Sequence, residues 1–406
     1  MARLAVLSYH TSPLAQPGTG DGGGMNVYVR EMGAALARQG HSVDIYTRRD
    51  SPIQRDQVQV EPGLTVHHVT AGPTTSLPMS ELRLWVDDFA RSVGVLMGCN
   101  AKPDILHANY WLSGIAGHWL KHELDIPLVM TFHTLDRVKA LTFGEPSTER
   151  SAEEERIMAC SDAVLASCDI EAQQIVDFYG ANPARVHIVP LGVEHAFFSP
   201  GNKAEARRAL GMPTDEALLL FAGRIQDLKG VELALETFIE VRRRTGAGHL
   251  AIVGGPSGPN GRETLDRVQR RIAEAGVIES VSLVAPQNHQ LLSSWFRAAD
   301  LTLVPSLAES FGLVALESAA CGTPVVASAV GGLLTLITPG ENGLLLASRD
   351  PKDWADAIER VLDPIVGVGM AHASAMMARQ YTWRHTAEAI SDLVHRLQSG
   401  ALLLCL

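Results

Sequence analysis

Two loops of this chain carry side chains of the kind that bind phosphate and sugar. In the first, Arg224-Ile225-Gln226-Asp227-Leu228-Lys229-Gly230 follows an apolar run and opens a helical pattern. An Arg and a Lys five apart at a strand end can converge on one diphosphate, the Arg as a bidentate fork and the Lys as a point charge. The second is Glu309-Ser310-Phe311-Gly312-Leu313-Val314-Ala315-Leu316-Glu317, with one glutamate in a loop and the other in the second turn of a helix. The helix start offers free N–H groups, and the two carboxylates can accept from sugar hydroxyls. Taken singly, Arg224 and Lys229 read as solvated cations and Glu317 as a helix-surface charge. Their order and spacing together make the case.

A third loop, residues 11–24, is rich in glycine. Gly18-Thr19-Gly20-Asp21-Gly22-Gly23 fits G-x-G-x-x-G, and Asp44 lies 21 residues beyond Gly23. The context does not suit a nicotinamide dinucleotide, which needs its first glycine at the end of the strand. Here residues 11–17 intervene after His10, and Asp44 falls inside a strand pattern. What remains is a flexible loop that delivers backbone N–H groups to the start of a helix, with Asp21 and Asn26 beside its glycines.

The elements that must hold these loops alternate along the chain. Apolar, β-prone runs fall at residues 4–10, 43–47, 64–69, 104–107, 127–133, 163–167 and 186–190, and again at 218–223, 250–254, 281–284, 301–305 and 324–327. Helical periodicity occupies 25–39, where Met25, Val29, Met32 and Leu36 form one stripe that Gly40 ends, and 231–244, 263–275, 311–320 and 354–362. Strands alternating with helices make parallel sheets, and two such series make two doubly wound α/β domains. The turn-rich stretch 192–201 is the linker. Ligands of such sheets bind beyond the carboxyl ends of the strands, so two domains of this type predict a cleft between facing strand ends.

Composition limits the partners. The 406 residues suit two or three domains. Hydrophobic residues are 46% and charged residues 19%, enough apolar surface for sizeable cores. With 34 Lys and Arg against 45 Asp and Glu, the net charge of −11 argues against a nucleic-acid or anionic-membrane surface. It leaves room for a focused basic site. The five cysteines, Cys99, Cys160, Cys168, Cys321 and Cys405, are scattered and suggest no disulfide framework, which points to a reducing, cytoplasmic setting. The apolar run 4–7 is too short for a signal core, and no integral membrane segment is expected.

The Arg224/Lys229/Glu309/Glu317 set resembles the retaining glycosyltransferases of family four, which have the GT-B fold of two Rossmann-like domains around a central cleft. Tyr9-His10-Thr11-Ser12-Pro13-Leu14, Gln16-Pro17-Gly18, Gly23-Gly24-Met25-Asn26-Val27-Tyr28, Tyr110-Trp111-Leu112-Ser113-Gly114 and Thr131-Phe132-His133-Thr134-Leu135 narrow the likeness. They resemble the D-inositol 3-phosphate glycosyltransferase family of mycothiol biosynthesis, which transfers N-acetylglucosamine from UDP-GlcNAc to 1D-myo-inositol 3-phosphate. Sucrose-phosphate synthases share part of this pattern.

The resemblance implies residues 1–194 as an acceptor-binding domain and 195–382 as a nucleotide-sugar-binding domain, with a last helix at about 383–400 packing back on the first. It implies that Arg224 and Lys229 bind the UDP diphosphate and that Glu317 holds the ribose. Glu309 with the backbone of Phe311, Gly312 and Leu313 would hold the sugar, with Gln16, Pro17 and Gly24 near the donor phosphate. His10, Asp21, Asn26 and the catalytic-region His133 would line the acceptor, whose phosphate Tyr110, Thr134 and Arg150 would grip. The family's clamp also has a lysine, where this chain has Met79, and Gln287 stands at its uracil-side arginine. Arg137 or Lys139, beside Asp136, could stand in for that lysine. No metal or cofactor is required by the resemblance, and a homodimer is compatible with it.

Other clusters have plainer readings. His118 and His122 lie four apart on a helix without a third ligand, and His67 and His68 point to opposite faces of a strand. Arg242, Arg243 and Arg244 form a helix-end cluster. Three functions stay open: the inositol-phosphate transferase, a family-four hexosyltransferase with another acceptor such as a sugar phosphate, and a non-catalytic sugar-nucleotide sensor.

Overall fold

In the computed structural model, which describes residues 1–399 except Thr19, Asp21, Asn100 and Ala101, the chain divides into two contact units. The first comprises Met1–Ala15, Gly24–Pro190 and the chain from Trp383 onward; the second comprises Gln16–Gly23 and Leu191–Thr382. The boundary thus falls four residues before the one read from sequence, and eight residues of the glycine loop belong to the second unit.

The first unit holds an eight-stranded sheet built from β1 (Arg3–Leu7), β2 (Ser42–Arg48), β3 (Gln57–Glu61), β4 (Leu64–Val69), β5 (Ile105–Asn109), β6 (Leu128–Thr131), β7 (Ala163–Ala166) and β8 (Val186–Ile188). Its order is β3-β4-β2-β1-β5-β6-β7-β8, parallel except for the edge hairpin β3-β4. Every residue of β5, β6 and β7 is buried, as strands covered by helices on both faces must be. The helix Gly24–Arg38 follows β1, with Val29, Met32 and Leu36 fully buried, and Gly40 ends its turn at φ +91°. Its Ala34, Ala35 and Ala37 are buried too. Helix Trp383–Gln398 lies on it: Gln39 Nε2 donates to Arg384 O, Ser391 Oγ donates to Gln39 Oε1, and Thr386 Oγ1 donates to Pro190 O.

The second unit holds a six-stranded, wholly parallel sheet of β9 (Leu218–Ala222), β10 (His249–Val253), β11 (Val281–Val284), β12 (Leu301–Val304), β13 (Val325–Ser328) and β14 (Gly343–Leu346), ordered β11-β10-β9-β12-β13-β14. In both sheets the order reverses once, between β1 and β5 and between β9 and β12. Those reversals leave a crevice at the strand ends, because the crossover helices on either side lie on opposite faces. The loops singled out from sequence follow these four strands.

No single helix among the described residues is long and apolar enough to cross a membrane; only Pro351–Leu362 and Pro364–Ala378, bent by 87°, pass that test as a pair. One cysteine corrects the sequence reading: Cys160 is disulfide-bonded, while Cys168 and Cys321 are buried.

Trp354 anchors the second core. Its side chain is fully buried and its indole N–H donates to Ser348 O at 2.8 Å. Replacing it with Ala leaves both a large cavity and an unpaired carbonyl. Trp354→Ala is expected to destabilise the second unit by about 3–5 kcal/mol, measured by denaturant unfolding.

Candidate functional site

At the reversal in the second sheet, two loops are locked together. After β9 the chain passes Arg224 and forms a short 3-10 turn, Asp227–Lys229, closed by Gly230 at φ +71°. After β12 it runs through Pro305 and Ser306 to Glu309. Leu307 N donates to Leu228 O at 2.8 Å, and a Cβ on Gly230 would stand 2.1 Å from Pro305 O. Only glycine allows both the left-handed turn and this approach. The turn is braced from behind, where Asp227 Oδ1 accepts from Thr264 Oγ1 and Arg267 Nη2, each at 2.8 Å. The hydrogen bond from Thr264 is the leading cause that holds the Asp227 carboxyl below its usual range.

The bracing delivers Lys229 Nζ to within 2.6 Å of Glu309 Oε2, which also accepts from Ser306 Oγ at 3.3 Å. Glu309 is fixed through its backbone as well: its carbonyl accepts from Gly332 N at 3.0 Å, and a Cβ on Gly331 would lie 1.8 Å from that oxygen. Phe311 is buried, Gly312 sits at φ +106°, and the helix Leu313–Ala320 begins one residue later. It starts two residues beyond the sequence expectation because Gly312 cannot be helical at that φ. Glu317 falls in its second turn and is buried; burial pushes its carboxyl up to about 8. The reading of Glu317 as a solvated charge is thereby excluded.

The glycine loop contributes to the same unit. Gln16 Nε2 donates to Pro286 O at 3.0 Å, Ser257 Oγ donates to Gly20 O at 2.7 Å, and a Cβ on Gly23 would touch the Arg224 guanidinium at 3.4 Å. Pro17 is next to Gln16 in this segment, and Gly24 opens the helix Gly24–Arg38 of the first unit. Asp21 lies outside the described residues. Gln287 turns its amide onto Ala285 O.

At the reversal in the first sheet, the His10 and Tyr110 rings meet with centroids 4.5 Å apart, tilted by 40°. Tyr110 (φ +74°) and His133 (φ +61°) have the left-handed backbone that side chains disfavour, and they follow the ends of neighbouring strands β5 and β6. Such strain gathers where geometry is functionally constrained. His133 Nε2 meets Asn109 Oδ1 at 2.9 Å, and the Tyr28 ring stands edge-on to it at 5.0 Å. Burial, then the neighbouring His107 and His10, pushes its imidazole down to about 3, so it is neutral at pH 7. Asn26 donates both to Thr11 Oγ1 and to Ser12 O, holding the loop that leaves β1.

Arg150 is joined to both Tyr110 and Thr134. Its Nη2 donates to Thr134 O (2.8 Å) and Oγ1 (3.2 Å), and Nη1 reaches the Tyr110 hydroxyl at 3.4 Å. Its Nε donates to Glu154 Oε1 at 2.8 Å, and Asp136 Oδ1 lies 4.0 Å away. Sequence reasoning missed Glu154 as the counter-charge, although the i,i+4 spacing signals it. Met79 packs against the apolar cluster that contains Tyr110 and Trp111. Arg137 lies over the Tyr179 ring and pairs with Glu155. Arg83, one turn beyond Met79, approaches Glu149 and Glu153 at 3.4 and 3.9 Å.

The other clusters found partners. His67 pairs with Asp44 at 2.7 Å, while Arg243 and Arg244 pair with Glu240. His118 and His122 do meet a third group, Cys160, with His122 Nε2 3.3 Å from its sulfur. That sulfur is in a disulfide and Arg156 faces His118 Nδ1, a poor donor set for a metal ion.

Glu317 makes stability depend on pH. Its carboxyl ionises near 4.5 in a solvated chain but near 8 in the fold, so across that window the folded state holds the extra proton and stability falls as pH rises. Glu317→Gln removes this slope. In denaturant unfolding the variant is expected to gain on the native protein between pH 5 and pH 8; a native protein that gains on the variant over that range contradicts the burial argument.

Comparison with known proteins identifies the family and the fold. Residues 23–192 match the family profile "Glycosyl transferase 4-like domain", and residues 202–364 match "Glycosyl transferases group 1". The D-inositol 3-phosphate glycosyltransferase of Acidothermus cellulolyticus is 42% identical over 96% of this chain and 89% of its own length. That of Saccharomonospora viridis is 43% identical over 96% of this chain and 93% of its own. Among solved structures, sucrose-phosphate synthase from Thermosynechococcus elongatus superposes with a TM-score of 0.90 at 31% identity, covering 98% of this chain and 99% of that one. Anabaena HepE, solved with UDP and glucose, shares the fold at a TM-score of 0.77 and 16% identity, covering 98% of this chain and all of that one. The chain belongs to the family-four glycosyltransferases, enzymes of GT-B fold, and is similar over nearly its whole length to the D-inositol 3-phosphate glycosyltransferases.

Proposed function

We propose that the protein is a retaining hexosyltransferase that moves N-acetylglucosamine from UDP-GlcNAc to 1D-myo-inositol 3-phosphate. The observation that carries the donor half is the Lys229–Glu309 pair, held on two loops at the reversal of the second sheet with Arg224 on the first of them. In this reading Arg224 and Lys229 take the diphosphate, helped by Gln16, Pro17 and Gly24. Glu317 takes the ribose hydroxyls. Glu309 and the backbone of Phe311, Gly312 and Leu313 orient the sugar.

The chemistry is a front-face displacement. The bond from the sugar anomeric carbon to the UDP phosphate oxygen breaks, the acceptor oxygen bonds to that carbon on the same face, and its proton passes to the departing phosphate. The charge that develops on UDP is met by Arg224, Lys229 and the N–H groups at the start of helix Leu313–Ala320, with no metal or cofactor required. His10, Asn26 and the neutral His133 line the acceptor side, and Tyr110, Thr134 and Arg150 grip its phosphate. The partners are two small anions, and a homodimer is compatible with the resemblance.

A second reading keeps the donor chemistry and changes the acceptor to another compound, such as a sugar phosphate. The apolar packing of Met79 and the pairing of Arg150 with Glu154 favour it, since they leave the acceptor clamp with one cation already opposed by a carboxylate.

UDP release across a matrix of donors and acceptors separates the readings. Release with UDP-GlcNAc and inositol 3-phosphate supports the first, and release only with other acceptors supports the second. No release with any pair leaves a sugar-nucleotide sensor. Arg224→Ala and Lys229→Ala are each expected to lower turnover about 10²–10³-fold with folding intact; near-normal turnover sinks the donor assignment.

A further inference from the structure

We propose that Asn109, the last residue of β5, is a positioning residue that fixes the tautomer and orientation of His133. Asn109 is fully buried and lies in register with Thr131, two residues before His133 on the neighbouring strand. Its amide is oriented by its own strand, because Nδ2 points at His107 O at 3.4 Å. That leaves Oδ1, an acceptor, as the atom 2.9 Å from His133 Nε2. The imidazole must donate there, so its proton sits on Nε2 and Nδ1 is the acceptor atom of the ring.

The other neighbours reinforce the arrangement. The ring is fixed in tilt by Tyr28, edge-on at 5.0 Å, and His107 is in turn tied to Thr131 Oγ1 at 2.8 Å. The titratable groups against His133 are His10 from the loop after β1, Tyr28 from the helix Gly24–Arg38 and His107 from β5. None of these three is a carboxylate, so nothing among them favours a charged imidazolium. His133 therefore acts by hydrogen bonding with a neutral ring. Its part in transfer rests on the glycosyltransfer reading; the tautomer does not.

The test uses the full-length protein labelled with [15N]histidine, with His133→Gln identifying the resonance. Two-bond nitrogen–proton spectra of the native protein are expected to show His133 as the neutral Nε2–H tautomer from pH 8 to pH 5. In Asn109→Leu that tautomer loses its partner, and the Nε2–H signature is expected to give way to a mixture. In the near-isosteric Asn109→Asp a carboxylate faces the ring, and His133 is expected to become imidazolium with an apparent pKa raised above that of the native ring. If glycosyl transfer is established, Asn109→Leu should lower kcat about tenfold while acceptor KM changes less than about twofold. An Nδ1–H tautomer in the native protein, or an unchanged spectrum in both Asn109 variants, overturns the inference. A correct tautomer without UDP release from any substrate pair counts against the enzymatic reading alone.

Discussion

The contact between Lys229 and Glu309 depends on a constraint of sheet topology. Charged side chains 80 residues apart in sequence meet at 2.6 Å because β9 and β12 are neighbours at the point where strand order reverses. The loops that follow the two strands pack against each other there, joined by Leu307 N and Leu228 O. Gly230 permits the close approach, Gly331 and Gly332 receive the Glu309 backbone, and Asp227 ties the lysine turn to the helix Gly261–Glu274. On the proposed donor assignment, a diphosphate bound by Lys229 would compete with Glu309 for one ammonium and leave the displaced carboxylate to sugar hydroxyls.

The first unit uses the same topology differently. Its reversal gathers aromatic and neutral polar groups, His10, Tyr28, Asn109, Tyr110 and His133, and its cation is balanced by a buried carboxylate. The contrast is physical: the second unit brings half-buried charges together, and the first presents hydrogen-bonding edges in a low-dielectric setting, where a neutral imidazole is the stable form.

Much of this was legible in the sequence. The buried parallel strands announce themselves as apolar runs, and the order of Arg224, Lys229, Glu309 and Glu317 marks the second reversal. What escaped has identifiable causes. Strand β3 is a polar edge strand, and β14 opens on Gly343, so neither reads as a run of β-prone apolar residues. The burial of Glu317 is invisible in a helix pattern, since a carboxylate at that spacing usually faces water. Asn109 closes an apolar strand as one unremarked polar residue, and its role depends on the register of β6. Cys160 meets His122 from 38 residues away, a proximity that no local spacing encodes. Met79 was legible as a departure from the family, but its packing on the Tyr110 cluster needed the fold.

On the donor assignment, Glu309 and a diphosphate share Lys229. Calorimetric titration of UDP into the native protein and into Glu309→Gln tests this directly. Removing the competing carboxylate should tighten UDP binding by about tenfold, with the gain shrinking at high salt as for other charge-dominated contacts. Unchanged or weaker UDP binding in Glu309→Gln would contradict it.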